Sequence, residues 1–205
     1  MKRLLTYAIL VAGLAGSAHA KDVTIGAIIP LSGASATQGE DQRRGMELAL
    51  EKINVNGGVL GGKLSIITED SAGRAPTALD AAKKLVTVDN VPVLIGEFSS
   101  GITIPVGEYI AQQKKVHLNV ASTSIDVRKI KGDFYSVIGL DDVSGAFSAQ
   151  DAIDRGAKKV AVIAPNNAYG QGIADAFAKK FKELGGEVAA SIMYTEGQTS
   201  YRREL

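Results

Sequence analysis

The chain has 205 residues, 23 basic and 22 acidic side chains, a formal net charge of +1, and no cysteine. Such balanced charge argues against a nucleic-acid or anionic-membrane partner, since both favour a basic surface. Without cysteine, this chain cannot form disulfides, thiolate metal sites or a lipid-modified cysteine, so its stability has to come from ordinary core burial.

The first twenty residues are typical of a secretory signal peptide. Lys2 and Arg3 supply the positive start, and the apolar run from Leu4 to Leu14 is too short to span a bilayer. Residues 18–20 read Ala-His-Ala, a small-x-small cleavage site. We expect cleavage after Ala20, export to the periplasm and no direct insertion into the membrane.

Apolar runs alternate with amphipathic segments along the rest of the chain, which predicts parallel, doubly wound sheets of the α/β class. A small-residue loop is expected over Gly33–Gly39. The predicted strands are Val23–Ile29, Lys63–Glu69, Val91–Ile95, Val116–Val120, Phe134–Ile138, Val160–Ala164 and Val188–Met193. The predicted helices are Asp41–Asn56, Pro76–Val86, Ser100–Gln113, Val143–Arg155 and Tyr169–Leu184, with another beginning over Tyr201–Glu204.

The chain divides into two predicted lobes after the signal peptide at residues 1–20. The polar stretch Ser122–Asp133 interrupts the alternation, so we place the lobe crossing near Ile138–Asp142. This gives an amino-terminal lobe at residues 21–140 and a second lobe at 141–205. Two strands are too few for a self-sufficient sheet, so we expect the second lobe to be incomplete and the chain to be part of a longer protein.

Three loops at the carboxyl ends of predicted strands are candidate ligand contacts, because open parallel sheets bind ligands there. They are Pro30–Gln38, Gly96–Gly101 and Asn119–Ser124, each rich in serine, threonine or glycine. At the start of the following helix, Ser99 or Ser100 could help to bind an anion with the free backbone amides. The alternative is that these serines only cap the helix.

Four stretches resemble, in the same order, the type 1 periplasmic binding proteins of the Leu/Ile/Val-binding branch that serves ABC importers. They read IGAIIPLSGASATQGEDQRRGMELALEKINVNGGVLGGKL from Ile25, ITEDSAGRAPTALDAAKKLV from Ile67, VLIGEFSS from Val93 and KKVAVIAPNNAYGQGIADAFAKKFKELGGEV from Lys158. The resemblance implies two α/β lobes, the second incomplete here, which close on a small ligand.

The resemblance also implies a set of ligand-binding residues. Ser100, beside Ser99, matches a ligand contact; Thr123 matches another, with backbone groups of Ala121 and Ser122 facing the cleft. Tyr169 matches a tyrosine that covers the ligand from the second lobe. Gln38 stands where relatives often carry an aromatic lid residue, which weakens the case for a purely aliphatic ligand side chain.

The expected function is a monomeric solute-binding subunit that delivers a branched-chain amino acid or similar small carboxylate to a membrane permease. The alternative is a ligand-sensing receptor module of the same fold for amides or aromatic acids. An enzyme is not expected, because His117 lies inside an apolar strand, where a core histidine is the commoner role, and no metal-ligand spacing is present. No cofactor is predicted.

Overall fold

The computed structural model describes residues 21–202. The predicted signal peptide with its cleavage site and residues 203–205 lie outside the described residues. The elements in chain order are β1 (Val23–Ile29), α1 (Ala36–Val55), β2 (Leu64–Asp70), α2 (Ala75–Thr87), β3 (Val93–Gly96), α3 (Ser100–Gln112), β4 (Val116–Asn119), a 3₁₀ helix (Ile125–Lys129), β5 (Phe134–Ser136), α4 (Asp141–Asp154), β6 (Lys159–Pro165), α5 (Ala168–Glu183) and β7 (Glu187–Tyr194).

The first five strands form one parallel sheet in the order β2-β1-β3-β4-β5. The chain moves from β1 to one edge through α1, and then towards the opposite edge through α2 and α3. Because crossovers between parallel strands are right-handed, this reversal puts α1 on one face and the packed pair α2 and α3 on the other. The strand order therefore reverses between β1 and β3, which is where open sheets of this kind hold their ligands.

The main core lies between the sheet and the α2–α3 pair. Ile28 of β1 and Leu94 of β3 pack there against Leu85 of α2 and Val106 and Ile110 of α3, all of them buried. Strands β1 and β3 are apolar along most of their length because helices cover central parallel strands on both faces. This core fixes the ends of β1 and β3 relative to each other.

The chain after Leu140 builds a second, smaller unit. Strands β6 and β7 form a two-stranded parallel sheet, and α4 packs along α5. At Gly145 a Cβ atom would lie 2.7 Å from that of Ala176, so the glycine permits the close approach of the two helices. Ile163 of β6 remains 49% exposed. Parallel sheets are normally covered on both faces and contain more strands, so this unit is an incomplete lobe, as predicted.

Helix α1 begins at Ala36, within the stretch predicted to be a loop, and not at Asp41. The first turn of α1 contains small and polar residues and therefore lacks the apolar spacing on which the prediction relied. Gly39 lies against the carbonyl of Pro30, where a Cβ atom would be 1.9 Å from the Pro30 oxygen. The glycine is thus required by a close contact inside a helix and does not mark a loop.

The polar stretch after β4 also contains regular structure that the sequence did not predict. The 3₁₀ helix over residues 125–129 is capped by the Ser124 hydroxyl, which accepts the amide of Asp126. It buries Val127, which packs with Ile130 and Leu140. Of the helix predicted from Tyr201, the structure describes only Tyr201 and Arg202, neither of which is helical.

His117 is a core residue of β4, as the sequence favours. It is 2% exposed, its Nε2 donates to the Gly96 carbonyl, and its ring meets Phe134 edge-on with centroids 5.0 Å apart. Burial lowers the pKa of the imidazole from 6.5 to about 4, although the hydrogen bond to Gly96 acts in the opposite direction. The neutral ring therefore belongs to the folded state at neutral pH.

The buried imidazole makes stability depend on pH. The unfolded chain binds a proton near pH 6.5 and the folded chain only near pH 4, so stability is lost as pH falls through this window. We predict that His117→Gln, whose amide can still donate to Gly96, removes this dependence. The free energy of unfolding of each protein is measured in urea. The value for the native protein minus that for the variant should fall by about 2 to 3 kcal/mol between pH 7 and pH 4.5.

The native protein and the variant contain the same buried carboxyl groups. The pH dependence that these groups cause therefore cancels when the two free energies of unfolding are subtracted. Nuclear magnetic resonance of the imidazole protons provides a direct check, with an expected titration midpoint near pH 4. A midpoint at the ordinary value, or a free-energy difference that stays constant with pH, would show that the ring is not buried in this way.

Candidate functional site

The three predicted loops lie at the same edge of the five-stranded sheet. They follow β1, β3 and β4, which are adjacent and parallel, so their carboxyl ends face the same side. The loops after β1 and β3 lead to helices on opposite faces of the sheet, and open sheets hold ligands in the crevice between two such loops. The geometry of the loop after β3 therefore determines what the crevice can bind.

The loop after β3 is fixed by buried hydrogen bonds. Gly96 has a φ of +118°, and a Cβ atom there would lie 2.0 Å from the carbonyl oxygen of Ile28, so no other residue fits without a backbone shift. The hydroxyls of Thr103 and Ser122 donate to the Glu97 carbonyl at 3.0 Å and 3.1 Å. Since these side chains are buried, the loop is held in place without a ligand.

The first turn of α3 offers hydrogen-bond donors to an anion. The amides of Ile102 and Thr103 donate to the Ser99 carbonyl at 3.0 Å and 2.8 Å. In the part of the chain that the structure describes, the amides of Ser100 and Gly101 have no acceptor. The positive end of the α3 dipole lies at the same place, so a negatively charged group is favoured there.

The hydroxyl of Ser100 adds a third donor to this turn. Its Oγ accepts the amide of Ser124 at 3.2 Å, which uses a lone pair and leaves the hydroxyl proton for another acceptor. Ser99 is the N-cap residue of α3, and its side chain makes no capping hydrogen bond. The Ser99 side chain therefore does not cap the helix, and the Ser100 hydroxyl binds the loop after β4.

The loop after β4 is fixed by the buried side chain of Asn119. Its Oδ1 accepts the amides of Ser122 at 2.9 Å and Ala121 at 3.3 Å, while its Nδ2 donates to the Ser122 carbonyl at 2.7 Å. Both amides are therefore bound within the loop, by the side chain of Asn119. The Ser122 hydroxyl is likewise bound to the loop after β3.

Thr123 connects this loop to the start of α4. Its hydroxyl donates to Oδ2 of Asp141 at 2.9 Å, and the Asp141 amide donates back to the Thr123 carbonyl at 2.8 Å. Burial raises the pKa of the Asp141 carboxyl, although the hydrogen bond from Thr123 acts to lower it. The proton that Thr123 would offer to a ligand carboxylate is thus shared with Asp141, while its oxygen can still accept from an ammonium group.

Gln38 lies exposed in the first turn of α1, beyond the loop that follows β1. Asp70 at the end of β2 holds that loop, since its Oδ1 accepts the amides of Leu31 and Ser32 at 2.8 Å and 3.2 Å. Burial tends to raise the pKa of Asp70, but hydrogen bonds led by that of the Ser32 hydroxyl outweigh it and hold the pKa below its usual range. Asp70 therefore stabilises the loop that leads to Gln38.

Tyr169 is 41% exposed in the first turn of α5. Asn167 caps this helix by accepting the amide of Gly170 at 2.9 Å. Gly172, three residues after Tyr169 and so on a neighbouring part of the helix surface, approaches the loop after β4, where a Cβ atom would lie 3.4 Å from Ser124 Oγ. The start of α5 therefore faces the loops of the first sheet.

Among residues 21–202, no three histidine or acidic side chains lie close enough together to bind a metal ion. The helices in this part of the chain also lack an apolar stretch of the length that a membrane span requires.

The sequence did not identify the residues that support the site, namely Ser71, Glu97, Thr103, Asn119 and Asp141. Each is a buried polar side chain whose partner is a neighbouring loop or strand end. The available signal is a polar residue directly after an apolar strand, as at Glu97 and Asn119. That pattern alone does not distinguish a supporting residue from a solvated one.

The chain is similar to known proteins both in sequence and in fold. A family model described as periplasmic binding protein matches residues 22–205. The Leu/Ile/Val-binding protein BraC3 of Rhizobium johnstonii is 35% identical over 175 residues, which are 83% of this chain and 47% of that protein. A crystal structure of leucine binding protein LivK from Thermotoga maritima superposes with a TM-score of 0.83 at 26% identity, covering 88% of this chain and 51% of that one.

A third similarity shows the fold alone. A solute binding protein of an ABC transporter from R. palustris, solved in complex with 4-hydroxybenzoate, gives a TM-score of 0.81 at 18% identity, covering 88% of this chain and 49% of that one. The chain spans about half the length of the curated relatives it matches. The family match extends over nearly all the described residues and confirms the resemblance found in the sequence. The chain belongs to the periplasmic binding protein family.

Proposed function

We propose that this protein is the solute-binding subunit of an ABC importer and captures a branched-chain amino acid or similar small α-amino acid in the periplasm. The free amides of Ser100 and Gly101, with the Ser100 hydroxyl, carry the proposal because they provide a fixed site for a carboxylate where the strand order reverses. The names of BraC3 and LivK, as Leu/Ile/Val-binding and leucine-binding proteins, support the choice of ligand.

The two charges of an amino acid need different partners. Burial of either charge without a partner would cost on the order of several kcal/mol. The carboxylate is assigned to the start of α3, and the ammonium group to acceptors that include the Thr123 oxygen. Tyr169 covers the ligand from the second lobe, whose boundary with the first we place at residues 140/141, directly before α4.

The mechanism requires no bond to be formed or broken, so the protein is not assigned an enzymatic reaction. The ligand would favour closure of the two lobes, because it contacts both of them only in the closed form. The closed monomer would then present both lobes to a membrane permease. The proposed signal peptide, cleaved after Ala20, brings the chain to the compartment where such a carrier works.

A second candidate is binding of an aromatic acid, either for import or for ligand sensing by a receptor. It is favoured by the polar, exposed Gln38 at the lid position and by the R. palustris protein that holds 4-hydroxybenzoate in the same fold. The start of α3 would serve either carboxylate, so the ammonium group is what distinguishes the two ligands.

A thermal-shift screen of the full-length mature protein separates these candidates. We expect L-leucine, L-isoleucine or L-valine to raise the melting temperature more than 4-hydroxybenzoate at equal concentration, because ligand binding to the folded state stabilises it. A larger shift with 4-hydroxybenzoate would favour the second candidate. No shift with any of these compounds would contradict both.

The proposed contacts to the carboxylate, at Ser100, and to the ammonium group, at Thr123, are tested together by combining Ser100→Ala with Thr123→Val in the full-length protein. Both changes remove hydroxyls from the proposed site, so calorimetry should show at least about a tenfold loss of L-leucine affinity, equivalent to ~1.4 kcal/mol. Ser148→Ala is a matched control, since this exposed hydroxyl on α4 donates to its own helix. Unchanged affinity in the double variant would remove the assignment.

The cover role of Tyr169 is tested by comparing Tyr169→Ala with Tyr169→Phe. If the ring shields the ligand, the alanine variant should release L-leucine faster and bind it roughly tenfold more weakly, whereas the phenylalanine variant should stay close to the native protein. Tyr135→Ala, which removes an exposed ring from β5, serves as control. Equal dissociation rates for all four proteins in stopped-flow measurements would exclude a cover role.

A further inference from the structure

We propose that Glu97 is a positioning residue for the carboxylate site, since its buried carboxyl binds the amide of Ser99 and leaves those of Ser100 and Gly101 for the ligand. This inference rests on the proposed function and extends it to a residue that the ligand does not touch. It concerns how the donors at the start of α3 acquire their positions before any ligand arrives.

The side chain of Glu97 connects two loops at the carboxyl edge of the sheet. Its Oε2 accepts the amide of Ser99 at 2.9 Å, and its Oε1 accepts the hydroxyl of Ser71, in the loop after β2. Ser71 is itself anchored to the end of β1, because its amide donates to the Ile29 carbonyl at 2.9 Å. The carboxyl thus connects the loops after β2 and β3, with the end of β1 between them in the strand order.

The main chain of Glu97 is held as firmly as its side chain. Its carbonyl accepts the hydroxyls of Thr103 and Ser122, so both ends of the residue are fixed by buried partners. Side chain and main chain together determine the direction in which the chain enters α3. Residues 98–101 therefore have little freedom to turn their amides towards other acceptors.

The allocation of amides at the start of α3 follows from these contacts. The first four N–H groups of a helix, here those of residues 99–102, have no i−4 partner inside it, and the amide of Thr103 makes the first such bond. Ile102 and Thr103 donate to the Ser99 carbonyl, and Ser99 donates to Glu97. Among residues 21–202, the amides of Ser100 and Gly101 have no acceptor. Without the carboxyl, the amide of Ser99 would have no acceptor and the turn would lose its anchor.

The Glu97 carboxyl lies in a place where burial of an acidic group lowers the stability of the fold. Glu97 is fully buried, and none of the ion pairs among residues 21–202 involves it. Burial raises the pKa of the carboxyl, Asp70 raises it further, and hydrogen bonds from Ser71 and the main chain act in the opposite direction. A buried acid without a cationic partner lowers stability, so a role in shaping the site gives a reason for its presence.

The test compares Glu97→Ala with Glu97→Gln in the full-length mature protein. Glutamine can accept from Ser99 through its oxygen and donate to Ser71, so it should preserve the geometry, whereas alanine removes both contacts. Calorimetry with L-leucine and L-leucinamide is the binding measurement. We expect Glu97→Ala to lower the affinity for L-leucine at least about tenfold and the affinity for L-leucinamide less than about threefold. The affinities of Glu97→Gln for both ligands should stay within about threefold of the native values.

Leu85→Ala is the control for general loss of stability, because Leu85 is fully buried on α2 and is not part of these hydrogen bonds. It should leave both affinities unchanged. The inference is overturned if Glu97→Ala weakens both ligands equally, if it behaves like the control, or if Glu97→Gln fails to restore binding. Should Glu97→Ala not fold, Ser71→Ala removes the other contact of the carboxyl and should weaken L-leucine in preference to L-leucinamide.

Amide hydrogen exchange of the ligand-free protein gives a result that does not depend on the proposed function. The Ser99 amide should be protected in the native protein and in Glu97→Gln, and should exchange at least about tenfold faster in Glu97→Ala or, in its place, Ser71→Ala. Unchanged exchange would overturn the inference even if L-leucine binds. Conversely, faster exchange in a protein that binds no amino acid would contradict the proposed function and leave the positioning of Ser99 established.

Discussion

Buried hydrogen bonds to the loop after β3 are the interactions on which the rest of the site depends. Donors can replace the water around a carboxylate only if they are already in place, because ordering them during binding would consume part of the affinity. The close contact of Gly96 with β1, the hydroxyls on the Glu97 carbonyl and the packed α3 together fix those donors. The buried hydrogen bonds of this loop thus contribute to binding as well as to stability.

Thr123 gives the loop after β4 a different role, because its hydroxyl is shared with the second unit of the chain. The proton that it could donate to a ligand is held by Asp141, the first residue of α4. A carboxylate near Thr123 would compete for that proton, whereas an ammonium group would use the free lone pairs of the oxygen. The proposed ligand contact and the junction between the two units therefore involve the same side chain.

The sequence predicted the helices and strands well, but it did not predict the hydrogen bonds that hold the loops of the site. These two outcomes have different physical reasons. Apolar runs and alternation identified every strand of residues 21–202 to within a few residues. The central strands β1, β3 and β4 are mostly apolar because helices cover central parallel strands on both faces. The apolar pattern missed the start of α1, where Gly39 meets the carbonyl of Pro30, a contact that no local pattern records. Glu97 and Asn119 were not identified as supports, for two reasons. Their partners Ser71 and Ser136 are far away in the chain, and their local bonds to Ser99 and Ser122 depend on the loop conformation.

The five-stranded sheet draws all its strands from one uninterrupted stretch, from Val23 to Ser136, whereas β6 and β7 leave an open face. A chain that emerges from its amino terminus can therefore assemble the first sheet from neighbouring βαβ units before later segments appear. All the strand pairings of this sheet join residues between Val23 and Ser136, so none of them needs the chain that follows. The half that holds the carboxylate donors would then be built first and act as a template on which the remainder docks.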